Sequence, residues 1–306
     1  MKFNFWKRKS ESIIESSTCV RCVHYRPTHC PYASRCLTVP GKPYCKPKET
    51  HDISFRNADK QKVKQSPMVE KKDLKSDFLK IFKQLTNRHG TWSIWSDAIC
   101  MFAYSISNAV DKSNYDKREA QYMNIIKKYN KKERDLFQEL LSIIVMALEE
   151  NPEQDFLGSI FMELGISNSN LGQVFTPYSV CRLMSEVSLS NIRAEIKDND
   201  CITIADFTCG SGATLISSIN VAKEELMKDG LNYQKHILVA ARDIDYTAAL
   251  MCYIQLSLLG VAAYIKVGDS ISEPMTKNDS IDSYWFTPVY ILDGWKYRRM
   301  GLNNGY

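Results

Sequence analysis

The sequence predicts an α/β protein: a doubly wound, mostly parallel sheet, preceded by an α-helical bundle and a Cys-rich N-terminal arm. Three observations carry that expectation. From about residue 200, short apolar runs of strand character alternate with helical runs, the pattern of parallel strands joined by crossover helices. Residues 73–168 instead place apolar side chains at helical spacing. Ahead of both, five cysteines (Cys19, Cys22, Cys30, Cys36 and Cys45) fall within 27 residues.

At 306 residues the chain can hold two modest domains, each with a core. Its net charge of +5 is unevenly placed: residues 1–75 hold 17 Lys and Arg against 7 Asp and Glu, and the remainder 23 against 28. A basic arm of that kind suits a polyanion such as nucleic acid, or is a solvated tail. The first fourteen residues carry charge and no continuous apolar core, so no secretory signal is expected. Residues 246–265 lack charge over nearly a membrane-spanning length, yet they include Gln255, Ser257 and Gly260. A buried helix stopped at Gly260 and followed by a strand explains them better. The expected location is cytoplasmic, with reduced thiols and no membrane partner.

In the arm, residues 1–45, Cys19-x-x-Cys22 is a common metal-knuckle spacing. A short Pro-rich segment without a core needs a crosslink to fold. Structural zinc held by four of Cys19, Cys22, Cys30, Cys36 and Cys45, or with a His replacing one, is the favoured reading. The spacing beyond Cys22 matches no strong zinc pattern, so an iron–sulfur site and an unliganded arm stay open. Residues 46–72 are polar and Lys-rich, the composition of a linker.

The helical domain starts with Leu74, Phe78, Ile81, Phe82 and Leu85 on one helical face, ending near His89-Gly90. Further helices are expected over 92–110, 117–129, 133–149 and 156–164. Residues 169–306 form the α/β domain. A helix over 179–189 leads to strands at 202–206, 236–244, 263–268 and 284–292, with helices over 213–228 and 246–259 between them.

The first strand ends in Asp206 and runs into Cys209-Gly210-Ser211-Gly212, then an apolar helix. Strand, glycine turn and helix open a doubly wound nucleotide site. Asp243 closes the second strand and Asp269 the third, and ligands in such sheets lie across the strand carboxyl ends. An acid after strand two is placed for ribose hydroxyls, and one after strand three for an adenine amine. Each alone also suits a turn or helix cap. Leu215 stands at the third glycine position of a dinucleotide fingerprint, and a carboxylate before the turn disfavours phosphate. A cationic, phosphate-free adenosine ligand fits better: S-adenosylmethionine.

Four motifs in order, Gly172-Gln-Val-Phe-Thr-Pro177, Asp206-x-x-Cys-Gly-Ser-Gly212, Arg242-Asp-Ile-Asp245 and Val267-Gly-Asp-Ser-Ile271, resemble the adenine-N6 DNA methyltransferases. The likeness is to the modification subunits of type I restriction-modification systems and covers about residues 155–290. It implies a Rossmann-like, S-adenosylmethionine-dependent methyltransferase sheet, here truncated. It implies DNA as substrate and a separate specificity or recognition subunit as partner. Phe175, Thr176 and Pro177 match the segment around the methionine part of the cofactor. Asp206, Cys209, Gly210 and Gly212 match the cofactor loop, Asp243 the ribose-binding acid and Asp269 the adenine-contacting acid.

The catalytic motif departs from that family. Where it has Asn or Asp, two prolines and an aromatic, this chain reads Thr287-Pro288-Val289-Tyr290. The resemblance implies Thr287 and the Pro288 carbonyl as acceptors for the adenine amine and Tyr290 as the stacking ring on a flipped base. Threonine is a shorter and weaker acceptor, and only sixteen residues follow Tyr290. The expected function is adenine-N6 methyl transfer to DNA, weak or partner-dependent. The alternative is an inactive methyltransferase fold that binds DNA or protein as a regulatory or assembly module.

Overall fold

The computed structural model describes residues 73–166, 174–276, 278–295 and 297–298. The expectations for the Cys-rich arm, its metal and the linker, and the Gly172-Gln173 start of the first motif, lie outside the described residues.

Five helices come first. Asp73 caps α1 (Leu74–Thr86) through the Ser76 amide at 3.0 Å, and α1 buries Leu74, Phe78, Ile81, Phe82 and Leu85. The second helix, α2 (Thr91–Val110), is buried along most of its length. After α3 (Tyr115–Ile126), α4 (Lys131–Glu150) opens on a capping box between Asn130 and Glu133. Then α5 (Phe156–Glu163) begins at Asp155. Rings of Phe78, Phe82, Trp95 and Phe156 join the helices, with centroids 5.9–6.3 Å apart.

The second half holds α6 (Tyr178–Ser188), α7 (Ile192–Asn199), β1 (Ile202–Asp206), α8 (Ala213–Lys228), the short α9 (Tyr233–His236), β2 (Ile237–Asp243), α10 (Tyr246–Leu258), β3 (Ala263–Val267), β4 (Tyr284–Phe286) and α11 (Pro288–Leu292). The strands lie in the order β1-β2-β3-β4. The first three are parallel, with Asp206 opposite Ala241 and Asp243 opposite Val267. The charge-free run at 246–265 becomes α10, a left-handed Gly260 (φ 71°) and β3. Among the described residues no helix is long and apolar enough to cross a membrane.

One sheet face (Ile237, Val239, Ala241, Ala263 and Ile265) joins a continuous core with α1, α2, α4, α5, α8 and α10. The other face (Leu238, Ala240, Tyr264) packs against Tyr290 and Trp295. Arg118 on α3 ties the helices to β4. It pairs with Asp111 at 2.6 Å, donates to the Tyr284 carbonyl at 3.0 Å and lies 4.0 Å over the Trp285 ring.

The fourth strand differs from expectation. Residues 284–292 form three strand residues and a helical turn, because Pro288 at the first helical position has no amide to lose. Moreover, β4 runs antiparallel along the outer side of β3, with Tyr264 opposite Phe286. Among the described residues no strand pairs with the other edge of β1.

Candidate functional site

Asp206 ends β1, Asp243 ends β2 and Asp269 follows the end of β3 by two residues, so the three acids stand at the carboxyl ends of adjacent parallel strands, about 4.8 Å apart in the sheet. All three are half-buried. Asp206 accepts from the Thr208 amide at 3.0 Å. Asp243 accepts from the Asp245 amide at 2.9 Å and the Gly210 amide at 2.7 Å. Asp269 accepts from the Ile271 amide and the Ser272 hydroxyl, both at 2.9 Å. Each carboxylate has more lone pairs than these donors occupy.

Burial raises the Asp243 carboxyl above its ordinary range, against the two amides that stabilise its charge. The Ile271 amide and Ser272 hydroxyl lower Asp269. Desolvation and like charge therefore converge on the middle acid.

The glycine turn is packed on both sides. Gly210 and Gly212 have φ of 53° and 96°. A Cβ at Gly210 would come within 3.1 Å of the Phe175 ring, and one at Gly212 within 2.9 Å of Cys252 Sγ. Only glycine meets both the conformation and the approach. The Cys209 amide donates to the Arg242 carbonyl at 2.9 Å, anchoring the turn to β2. The Cys209 side chain turns inward. The neighbouring Cys252 thiol and burial push its thiol well up, so it is held as an inert neutral group. Phe175 packs against Phe161 with ring centroids 5.2 Å apart and flanks the turn, while Thr176 and Pro177 are exposed ahead of α6.

Residues 158–304 match the sequence model of the N-6 DNA methylase family. The match supports an adenine-N6 DNA methyltransferase family assignment for this segment. A comparison with curated proteins finds no match. The matched segment runs from within α5 through α11, and thus includes the four strands and the glycine turn.

Within the matched segment, Thr287, Pro288 and Tyr290 stand elsewhere. Because β4 is antiparallel, its carboxyl end lies beside Ala263, the first residue of β3. About 13 Å of strand separates that point from the tip that leads to Asp269. The buried Thr287 hydroxyl donates to the Val261 carbonyl at 2.6 Å and accepts from the Ala263 amide at 2.8 Å. Tyr290 is buried and stacked on Phe286 at 4.7 Å. The role that the resemblance implies for these three residues does not fit this placement.

Sequence reading missed three features of the candidate site. Phe207, Ile244 and Ile271 are exposed apolar side chains in the segments that follow the strand tips. The signal was an apolar residue within two positions of each acid. Arg242, fully buried, donates to the carbonyls of Gly268 and Glu273 and so shapes the loop that carries Asp269. Asp155 and Gln255 reach the glycine turn from two helices. Among the described residues no group of three or more His, Cys, Asp or Glu is placed to hold a metal.

Proposed function

We propose that this chain binds S-adenosylmethionine across the tips of β1, β2 and β3 and serves adenine-N6 methylation of DNA, with the acceptor for the target amine coming from outside the described residues. The observation that carries the reading is the bond between Gly210 and Asp243, which joins the glycine turn and the middle acid into one cradle. The residues suit this cofactor. Three carboxylates gathered at one edge favour a cationic ligand over a phosphate, and the exposed side chains of Phe207, Ile244 and Ile271 suit the faces of a purine.

When bound, S-adenosylmethionine supplies an electrophilic methyl group. The chain's own side chains bind and orient it. Asp243 accepts from the ribose hydroxyls and Asp269 from the adenine amine, while Asp206 contributes negative charge near the glycine turn. Phe175, Thr176 and Pro177 enclose the methionine end.

DNA as substrate follows the family and is supported by charge. Lys127, Lys131 and Lys132 are exposed around the turn between α3 and α4. Nearby Asp97 and Glu133 already have partners in Lys128, and in Arg88 and His89. Such lysines suit phosphate contacts, which position DNA without reading its sequence. A recognition subunit would then supply base readout.

The placement of Thr287 also favours a second reading, a cofactor-binding module that transfers no methyl group. Tritiated methyl transfer to an adenine-containing duplex, beside N6-methyladenine analysis of DNA from a methylation-deficient host expressing the chain, separates them. Methylated adenine in either experiment supports the first reading. Cofactor binding with no methylated adenine in either supports the second.

A further inference from the structure

Asp155 is a buried acid with no ion-pair partner among the described residues. It accepts three hydrogen bonds: from the Gly158 amide at 2.9 Å, from the Gln255 side-chain amide at 2.8 Å, and from the Ser211 hydroxyl. The same Gln255 nitrogen donates to the Ser211 carbonyl at 2.9 Å, and its oxygen accepts from the Leu157 amide at 3.1 Å. Ser211, the residue between the two left-handed glycines, is thus held at both its hydroxyl and its carbonyl. A Cβ at Gly158 would overlap the Asp155 carboxylate, so glycine lets α5 approach the turn this closely.

Capping α5 requires much less than this. A serine or asparagine caps a helix without burying a charge. A carboxylate accepts from all three donors as they stand, whereas an asparagine would need the Ser211 hydroxyl to turn round and accept.

We infer that Asp155, supported by Gln255, is a positioning residue for the cofactor site. Acting through Ser211, it holds the glycine turn in its ligand-ready conformation before any ligand arrives. It stands three residues ahead of the family-matched segment, as the cap of α5. The inference rests on the proposal that this turn binds S-adenosylmethionine, and its test can fail separately from that proposal.

The test uses the full chain with Asp155→Ser, Ser211→Ala and the double variant, read in two ways. In calorimetric titration with S-adenosylmethionine, each single variant should bind about ten-fold more weakly, the worth of one buried hydrogen bond. The double variant should lose little beyond either single one, because both remove the same anchor. In hydrogen exchange without ligand, Asp155→Ser should speed exchange over residues 207–213 about ten-fold, while α5, still capped by serine, keeps its protection. Unchanged affinity in Asp155→Ser, or losses that multiply to about a hundred-fold in the double variant, would overturn the inference. If the unmodified chain does not bind the cofactor, the proposed function fails and exchange alone decides: faster exchange over 207–213 keeps the positioning role, and unchanged exchange removes it.

Discussion

The backbone amide of Gly210 lies 2.7 Å from a carboxylate oxygen of Asp243, so the acid that ends β2 holds the glycine turn that follows β1. Removing this side chain takes away the turn's anchor and the acceptor proposed for the ribose. Asp243→Ala should weaken S-adenosylmethionine binding by about 1.5–3 kcal/mol, the worth of a hydrogen bond to a charged group. Calorimetric titration checks it; an unchanged affinity would detach Asp243 from the site.

The same acid sets a pH dependence. Burial, with Asp245 and Asp206 nearby, raises Asp243 above its ordinary 3.8, whereas Asp269 is lowered. A cationic ligand needs the charged form, so affinity should be full at neutral pH and fall as pH drops through the raised value of Asp243. Asp269 protonates only at lower pH. Folding stability has the opposite sign: Asp243's contribution is fully present below its unfolded pKa and lost as pH rises through its folded one. Titrations at successively lower pH should show the fall, and Asp243→Asn should flatten it.

Arg118 and Asp111 are nearly solvent-free, with side-chain exposures of 5 % and 4 %. Arg118→Met leaves Asp111 as an unpaired buried charge and should cost about 3–5 kcal/mol, while adding Asp111→Leu should recover much of it. Urea unfolding followed by circular dichroism measures both. Equal stability of the single variant and the unmodified chain would show that the pair is not buried in solution.

Thr287 is a structural group at the amino end of β3. Thr287→Val keeps the shape and removes the hydroxyl, leaving the Ala263 amide without its 2.8 Å acceptor. The change should cost about 1–3 kcal/mol of stability and leave cofactor affinity unchanged. A loss of affinity without loss of stability would place Thr287 at the ligand after all.

Much of this architecture is legible in local pattern. The unbroken apolar run Ile237-Leu-Val-Ala-Ala241 reads as a strand buried on both faces, and β2 is buried along that run. Leu74, Phe78, Ile81, Phe82 and Leu85 recur at helical spacing, and they are the residues that α1 buries. Side-chain period does not say which strand a segment will pair with, or in which direction. Residues 284–292 therefore read as a parallel strand, when the bonds of Thr287 to Val261 and Ala263 place them antiparallel outside β3. The site divides the same way. An acid at the end of an apolar run can be read locally, and Asp206, Asp243 and Asp269 do stand at neighbouring tips. Asp155 meets Ser211 across 56 residues, and only the packing of α5 against the turn brings them together.

The cradle at the tips of β1, β2 and β3 is the centre of this account, and direct calorimetric titration of the full chain with S-adenosylmethionine tests it most plainly. The account predicts saturable binding of one cofactor per chain, weakened in Asp243→Ala and unaffected in Thr287→Val. The absence of saturable heat at millimolar cofactor, from a chain whose circular dichroism shows it folded, would contradict it.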